Sequence, residues 1–177
     1  WTWAQEFDPA FRLMGPQVRF VFASYAQTLG VDMSIASRRL LLSDWYMQNY
    51  MRKRFTLAED QSNKLKFDTS VGGSRLVAST DGGVTGRGGD IFAIDDPHST
   101  QQADSDQERE NVIRWWQRTV QSRLNDPKSG AFVIIMQRLH EADLSGYILD
   151  QSEADWVHLC LPMMHEKPRH CVTVKLP

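Results

Sequence analysis

The residues able to do chemistry in this chain gather at the ends of its apolar runs. Ile91 to Ile94 is followed directly by two carboxylates, Asp95 and Asp96, and then by Pro97. Four apolar residues closing on two acids is the form of a strand that serves a magnesium ion: the first acid holds the ion, usually through water, and the second polarises an attacking water. Adjacent carboxylates at the end of a buried strand repel each other and lose hydration, and a divalent cation relieves both costs. The same letters also suit a simple turn begun by Asp96-Pro97 and capped by Asp95. A second run, Ala131 to Met136, stops at Gln137 and Arg138. There an amide can orient water and a guanidinium can grip phosphate oxygens as a fork. Alternatively Arg138 pairs with Glu141 or Asp143, or caps a helix end. Arg87 sits in a loop with five glycines in nine residues, Asp81 to Gly89. It can reach phosphate of a nucleotide or of DNA, touch a neighbouring subunit, or hold the loop down.

Elements must carry these residues to one place. Val18 to Ser24 (VRFVFAS) reads as a strand buried on both faces and ending on Ser24 and Tyr25. Leu29 to Phe55 predicts one long helix or two. Lys64 to Thr69 and Ser74 to Ser79 alternate about Gly72-Gly73 and predict a hairpin. Ser105 to Leu124 predicts a helix whose core stripe is Ile113, Trp116, Val120 and Leu124. Ala131 to Met136 predicts a strand, Glu141 to Leu149 a helix, and Trp156 to Leu161 a final strand. Strands alternating with helical runs imply an α/β fold with a largely parallel, doubly wound sheet, in which ligands bind beyond the carboxyl ends of the strands.

Bulk composition narrows the function classes. The chain has 177 residues, 41% hydrophobic and 24% charged, enough for one domain core. It carries no apolar run long enough to span a membrane and no leader pattern. Cys160 and Cys171 fit neither a disulfide framework nor a zinc site. The five histidines lack metal-binding helical spacing. His140, Glu141 and Asp143 read as a helix start, the acids favouring its dipole. The net charge of −2 makes any nucleic-acid contact local. Arg52-Lys53-Arg54 and the arginines at 109, 114, 118 and 123 read as solvated helix faces.

Four segments together resemble the ATPase domain of tailed-phage terminase large subunits. They are VRFVFASYAQTLG (Val18 to Gly30), TGRGGDIFAIDDPHS (Thr85 to Ser99), RWWQRTVQSRL (Arg114 to Leu124) and VIIMQRLHEADLSGYIL (Val133 to Leu149). The likeness covers roughly residues 10 to 162. It implies a RecA-like P-loop NTPase core of the additional-strand class, a largely parallel sheet flanked by helices, with a β-hairpin insertion. Asp95 then becomes the magnesium carboxylate and Asp96 the acid that activates water, where many relatives of the wider class carry glutamate. Gln137 and Arg138 become a sensor or coupling pair, and ATP and Mg²⁺ the cofactors. The implied work is packaging double-stranded viral DNA into a capsid, with the portal protein, the small terminase subunit and other copies in a ring as partners. Its place would be the host cytoplasm, docked on the prohead.

No GxxxxGKS or GxxxxGKT occurs, so the lysine and hydroxyl that cradle phosphates are missing. The opening WTWAQEFDPAFRLMG resembles the helix that follows a phosphate loop. The expectation is a core over residues 1–162 cut just downstream of that loop, then a linker over 163–177 toward an absent nuclease domain. Such a piece alone is expected to be inactive. A non-catalytic RecA-like scaffold that binds DNA or motor subunits, and a superfamily 2 helicase fragment, stay open as alternatives.

Overall fold

The computed structural model describes residues 15–51, 55–82, 87–151, 156–161 and 164. The expected opening helix, the basic cluster Arg52-Lys53-Arg54, residues 83–86 of the glycine-rich loop and nearly all of the linker lie outside them. Among the described residues the fold is α/β, a six-stranded mixed sheet in the order β2-β3-β4-β1-β5-β6. β1 (Arg19–Ser24) lies between β4 (Ser74–Ser79) and β5 (Ile91–Asp95), parallel to both. β5 is parallel to β6 (Ala131–Ile135), while β2 (Leu57–Ser62), β3 (Lys66–Thr69) and β4 run antiparallel. The apolar runs of β1 and β5 suit central strands because both of their faces and both of their edges are used.

Side chains alternate across these strands, and each face has its own cover. Val21, Ala23, Phe92 and Ile94 form one core with Val112, Trp115, Trp116 and Val120 and with Leu144 and Ile148. The helix α1 (Gln27–Leu41) follows β1 and lies on the opposite face. Gly30 allows its approach, since a Cβ there would stand 2.7 Å from Val77 Cγ1.

The region read as one long helix or two is two. α1 stops at Leu41, and Ser43 caps α2 (Asp44–Tyr46) by accepting from the Tyr46 amide at 3.3 Å, before a wide π turn over Met47–Met51. The expected hairpin is present: Gly72 has φ +88°, and the Thr69 amide donates to Gly73 O at 2.8 Å. It is not a separate insertion, however. β4 pairs with β1, so the hairpin widens the sheet, and β2 lengthens it further where no strand was expected.

The helix expected from Ser105 is α4 (Asp106–Trp115), which runs on through a π turn, Trp116–Val120. A short helix, α3 (Thr100–Ala103), precedes it behind a Ser99–Gln102 capping box. The buried stripe departs from the predicted one ahead of the π turn. Val112, Trp115, Trp116 and Val120 are buried, while Ile113 is only half-buried. The helix α5 (Leu144–Gln151) starts later than Glu141 because Asp143 caps it.

The expected strand Trp156 to Leu161 is not one. Trp156 packs on Trp116 with ring centroids 6.0 Å apart, but Val157 beyond it is 97% exposed. Alternation alone cannot make a strand without a ladder to join, and this segment joins none. β6 therefore remains the outer strand, with Val133 44% and Ile135 61% exposed.

Candidate functional site: the carboxyl ends of β1, β5 and β6

Three neighbouring parallel strands end at the same edge of the sheet, which brings Asp95-Asp96 and Gln137 together. Asp95 closes β5 in register with Ile135. The Asp96 amide donates to Ile135 O at 2.9 Å, and Asp96 O accepts from the Tyr25 amide at 3.1 Å. The Asp96 carboxylate accepts from the Gln137 amide at 3.3 Å. Asp96 is thus tied to both neighbouring strands at once. Its φ of +42° is the one positive value at a non-glycine residue among those described. That conformation costs an L-residue roughly 1–2 kcal/mol, less for Asp, whose side chain bonds locally. The sharp reversal sends Pro97 and His98 into the interior.

The Asp95 carboxyl is raised above the ordinary carboxylate range, first by burial and then by repulsion from Asp96. It receives no hydrogen bond from the described residues. Among the described residues no group of three or more His, Cys, Asp or Glu side chains could hold an ion. A site of two carboxylates suits Mg²⁺ only when water and substrate phosphates fill the remaining positions.

Arg138 is placed differently from Gln137. Its Nε lies 3.3 Å from Asp143 Oδ2, and its Nη2 donates to Glu141 O at 3.2 Å. The pairing with Asp143, one of the alternatives open in the sequence, is the arrangement found. The guanidinium lines a groove of about 680 Å³ between α4 and α5, with Ile113, Glu141, Tyr147 and Asp150. Arg87 is exposed and precedes β5, with Gly89 held by an isolated bridge to Leu124 just ahead of the strand. Six residues of extended chain separate Gly89 from Asp95, about 20 Å at strand rise. The structure does not bring Arg87 to the acid pair of its own chain.

No family model and no curated protein matches the sequence. Functional meaning rests on the geometry of these strand ends and on the sequence likeness already described.

Two buried residues finish the site: Asp143, which the sequence offered as a partner of Arg138 and as part of a helix start, and His98, which it did not single out. Asp143 is fully buried. Its Oδ2 accepts from the Leu139 and His140 amides at 3.2 and 3.4 Å, and its Oδ1 from Ser145 Oγ and the Gly146 amide at 2.9 Å each. Burial pushes its carboxyl upward, but these hydrogen bonds and the Arg138 charge outweigh burial and hold it below the ordinary value. His140 takes the Ala142 amide on Nδ1 at 3.0 Å, so the HEAD segment is a built turn rather than a metal cluster. His98, 2% exposed, accepts the Leu144 amide on Nε2 at 3.1 Å. Burial lowers its pKa, Asp143 raises it and Arg109 lowers it again, leaving the ring below its usual value. An Asp three residues before Gly146 was a legible capping signal for Asp143. Nothing local in the sequence marked His98.

Proposed function

We propose that this chain is the downstream part of the ATPase core of a viral DNA-packaging motor of the terminase large-subunit type. Its RecA-like P-loop identity belongs to the same proposal. The observation that carries it is the half-buried Asp95 carboxylate, which takes no hydrogen bond from the described residues, at the end of a central parallel strand beside an Asp96 bonded to the backbone amide of Gln137. Two segments of the likeness, far apart in sequence, thereby meet at one sheet edge, where α/β folds bind ligands. Asp95 would carry Mg²⁺, which would offset the charge of the triphosphate and of the acid pair. Asp96 keeps one carboxylate oxygen for a water, since the Gln137 amide engages the other. Gln137, whose backbone amide sits at that edge, would feel the γ-phosphate.

The phosphate-binding loop has to come from outside these residues. β6 offers the place, because its outer side is unpaired among the described residues and its apolar side chains are exposed. A parallel strand added there would end next to Asp95 and Gln137. Double-stranded DNA, the portal protein, the small subunit and a ring of copies complete the proposed setting in the host cytoplasm. Among the described residues no helix is long and apolar enough to cross a membrane.

The capture of Arg138 by Asp143 favours a second reading, a RecA-like scaffold that hydrolyses nothing. Joining the chain to the residues encoded just before it separates the two. The motor reading expects a GxxxxGKS or GxxxxGKT there and Mg²⁺-dependent ATP hydrolysis by the longer polypeptide. Measurable hydrolysis by the 177 residues alone would contradict the need for that loop.

A further inference from the structure

The buried imidazole of His98 has one partner and one orphan. Nε2 accepts the Leu144 amide at 3.1 Å, while Nδ1 is buried without a hydrogen bond. An unmade hydrogen bond at a buried donor costs about 1–3 kcal/mol, so simple filling of space would favour an apolar ring here. Leu144 is the first residue of α5 and directly follows Asp143, whose carboxylate holds Arg138 Nε at 3.3 Å. His98 lies two residues beyond Asp96. A single path of contacts therefore runs from the acid pair to the arginine that ends β6.

We propose that His98 is a positioning residue: its Nε2 anchors the first turn of α5 and, through Asp143, fixes the Arg138 guanidinium relative to Asp95 and Asp96. The functional part rests on reading Asp95-Asp96 and Gln137-Arg138 as one site. Only the neutral ring with its proton on Nδ1 can accept the Leu144 amide, because an imidazolium has no acceptor. The charged groups facing the ring are Asp143 at the head of α5, which favours the imidazolium, and Arg109 of α4, which opposes it. Arg109 is itself fixed by the Ala103 carbonyl and Asp106.

Amide hydrogen exchange on the 177-residue chain tests the anchor without any assumption about ATP. His98→Gln retains an acceptor oxygen and His98→Phe removes it. In His98→Phe the protection factors of Leu144 and the first turn of α5 should fall about fivefold to tenfold, the equivalent of one lost hydrogen bond. Those of β1 and β5 should stay unchanged, and His98→Gln should recover most of the loss. Equal protection in all three proteins, or a loss spread evenly over the sheet, would overturn the proposal. Where His98→Phe fails to fold, His98→Leu, which also lacks an acceptor, takes its place: loosening confined to α5 supports the anchor, and unchanged protection refutes it. In a form that hydrolyses ATP, His98→Phe should lower kcat with KM unchanged, and His98→Gln should restore kcat. A wild type without hydrolysis would defeat the ATPase reading and leave the exchange result to judge His98.

Discussion

Replacing Gly146 by alanine sets helix propensity against local packing, and the two predict opposite signs. Gly146 occupies the first turn of α5, where alanine is worth up to about 1 kcal/mol more than glycine. A Cβ at this position would stand 3.0 Å from both the Glu141 carbonyl carbon and Arg138 Nη2, and inside the contact distance of the Glu141 oxygen. The obstacle is backbone, so the turn carrying Glu141 must move. Overpacking of this kind costs about 1–3 kcal/mol. The shift also threatens the bond from Arg138 Nη2 to Glu141 O, worth about 0.5–1.5 kcal/mol. Subtracting the propensity gain leaves a net loss of about 1–3 kcal/mol. For a chain of this size that is a fall in Tm of about 2–4 °C per kcal/mol. Urea unfolding of the 177-residue chain and of Gly146→Ala, read by Trp fluorescence, measures the difference. A variant as stable as the parent or more so would refute the close packing of this turn on α5.

Three further outcomes follow from the same contacts. Asp143→Ala should cost about 3 kcal/mol, through the lost cap and the buried amides left without an acceptor, measured by the same urea titration. Because the Asp143 carboxyl is lowered in the fold, its contribution is complete above the ordinary carboxylate value and is lost as pH falls through the lowered one; the variant's stability should fall less steeply in acid than the parent's. Asp96→Gly should remove the cost of the positive φ and Asp96→Ala should keep it, so thermal melts should rank glycine above alanine at this position although alanine is the stiffer residue. The Asp95 carboxyl is raised, so its contribution is present below the ordinary value and lost as pH rises through the folded one; Asp95→Asn should therefore raise Tm at neutral pH without metal.

Much of this arrangement was legible because burial leaves a simple mark on sequence. The apolar runs of β1, β5 and β6 are long, β-branched and aromatic, and the polar residues that close them do share one sheet edge. β2 was invisible because LAEDQS is an outer strand with polar residues facing solvent, whose pairing is decided by the hairpin beside it. The break at Ser43 carries neither glycine nor proline, only a capping serine inside a long helical pattern. The stripe on α4 was misjudged at its start, where neighbouring Val112, Ile113, Trp115 and Trp116 offer two adjacent apolar stripes and spacing alone does not choose between them. WVHLCL shows a strand's alternation, but pairing depends on a neighbour that its own letters do not encode. At the site, the bonds from the Gln137 backbone amide to Asp96 and from the Leu144 backbone amide to His98 span 41 and 46 residues, and since any residue supplies such a donor the sequence did not announce the pairings. Asp143 was legible as a partner of Arg138 and as a helix start, but not its complete burial, which follows from the packing of α5 on the core.

The central claim is that Asp95 carries magnesium for ATP hydrolysis, and it predicts opposite effects of one substitution on stability and on activity. The decisive measurement is steady-state Mg²⁺-dependent ATP hydrolysis by the polypeptide that joins this chain to a phosphate-binding loop, compared with its Asp95→Asn variant. The account predicts that the variant folds, melts no lower than the parent without metal, and loses hydrolysis at every Mg²⁺ concentration. Hydrolysis that persists in Asp95→Asn, or that is absent from the joined parent, would contradict it.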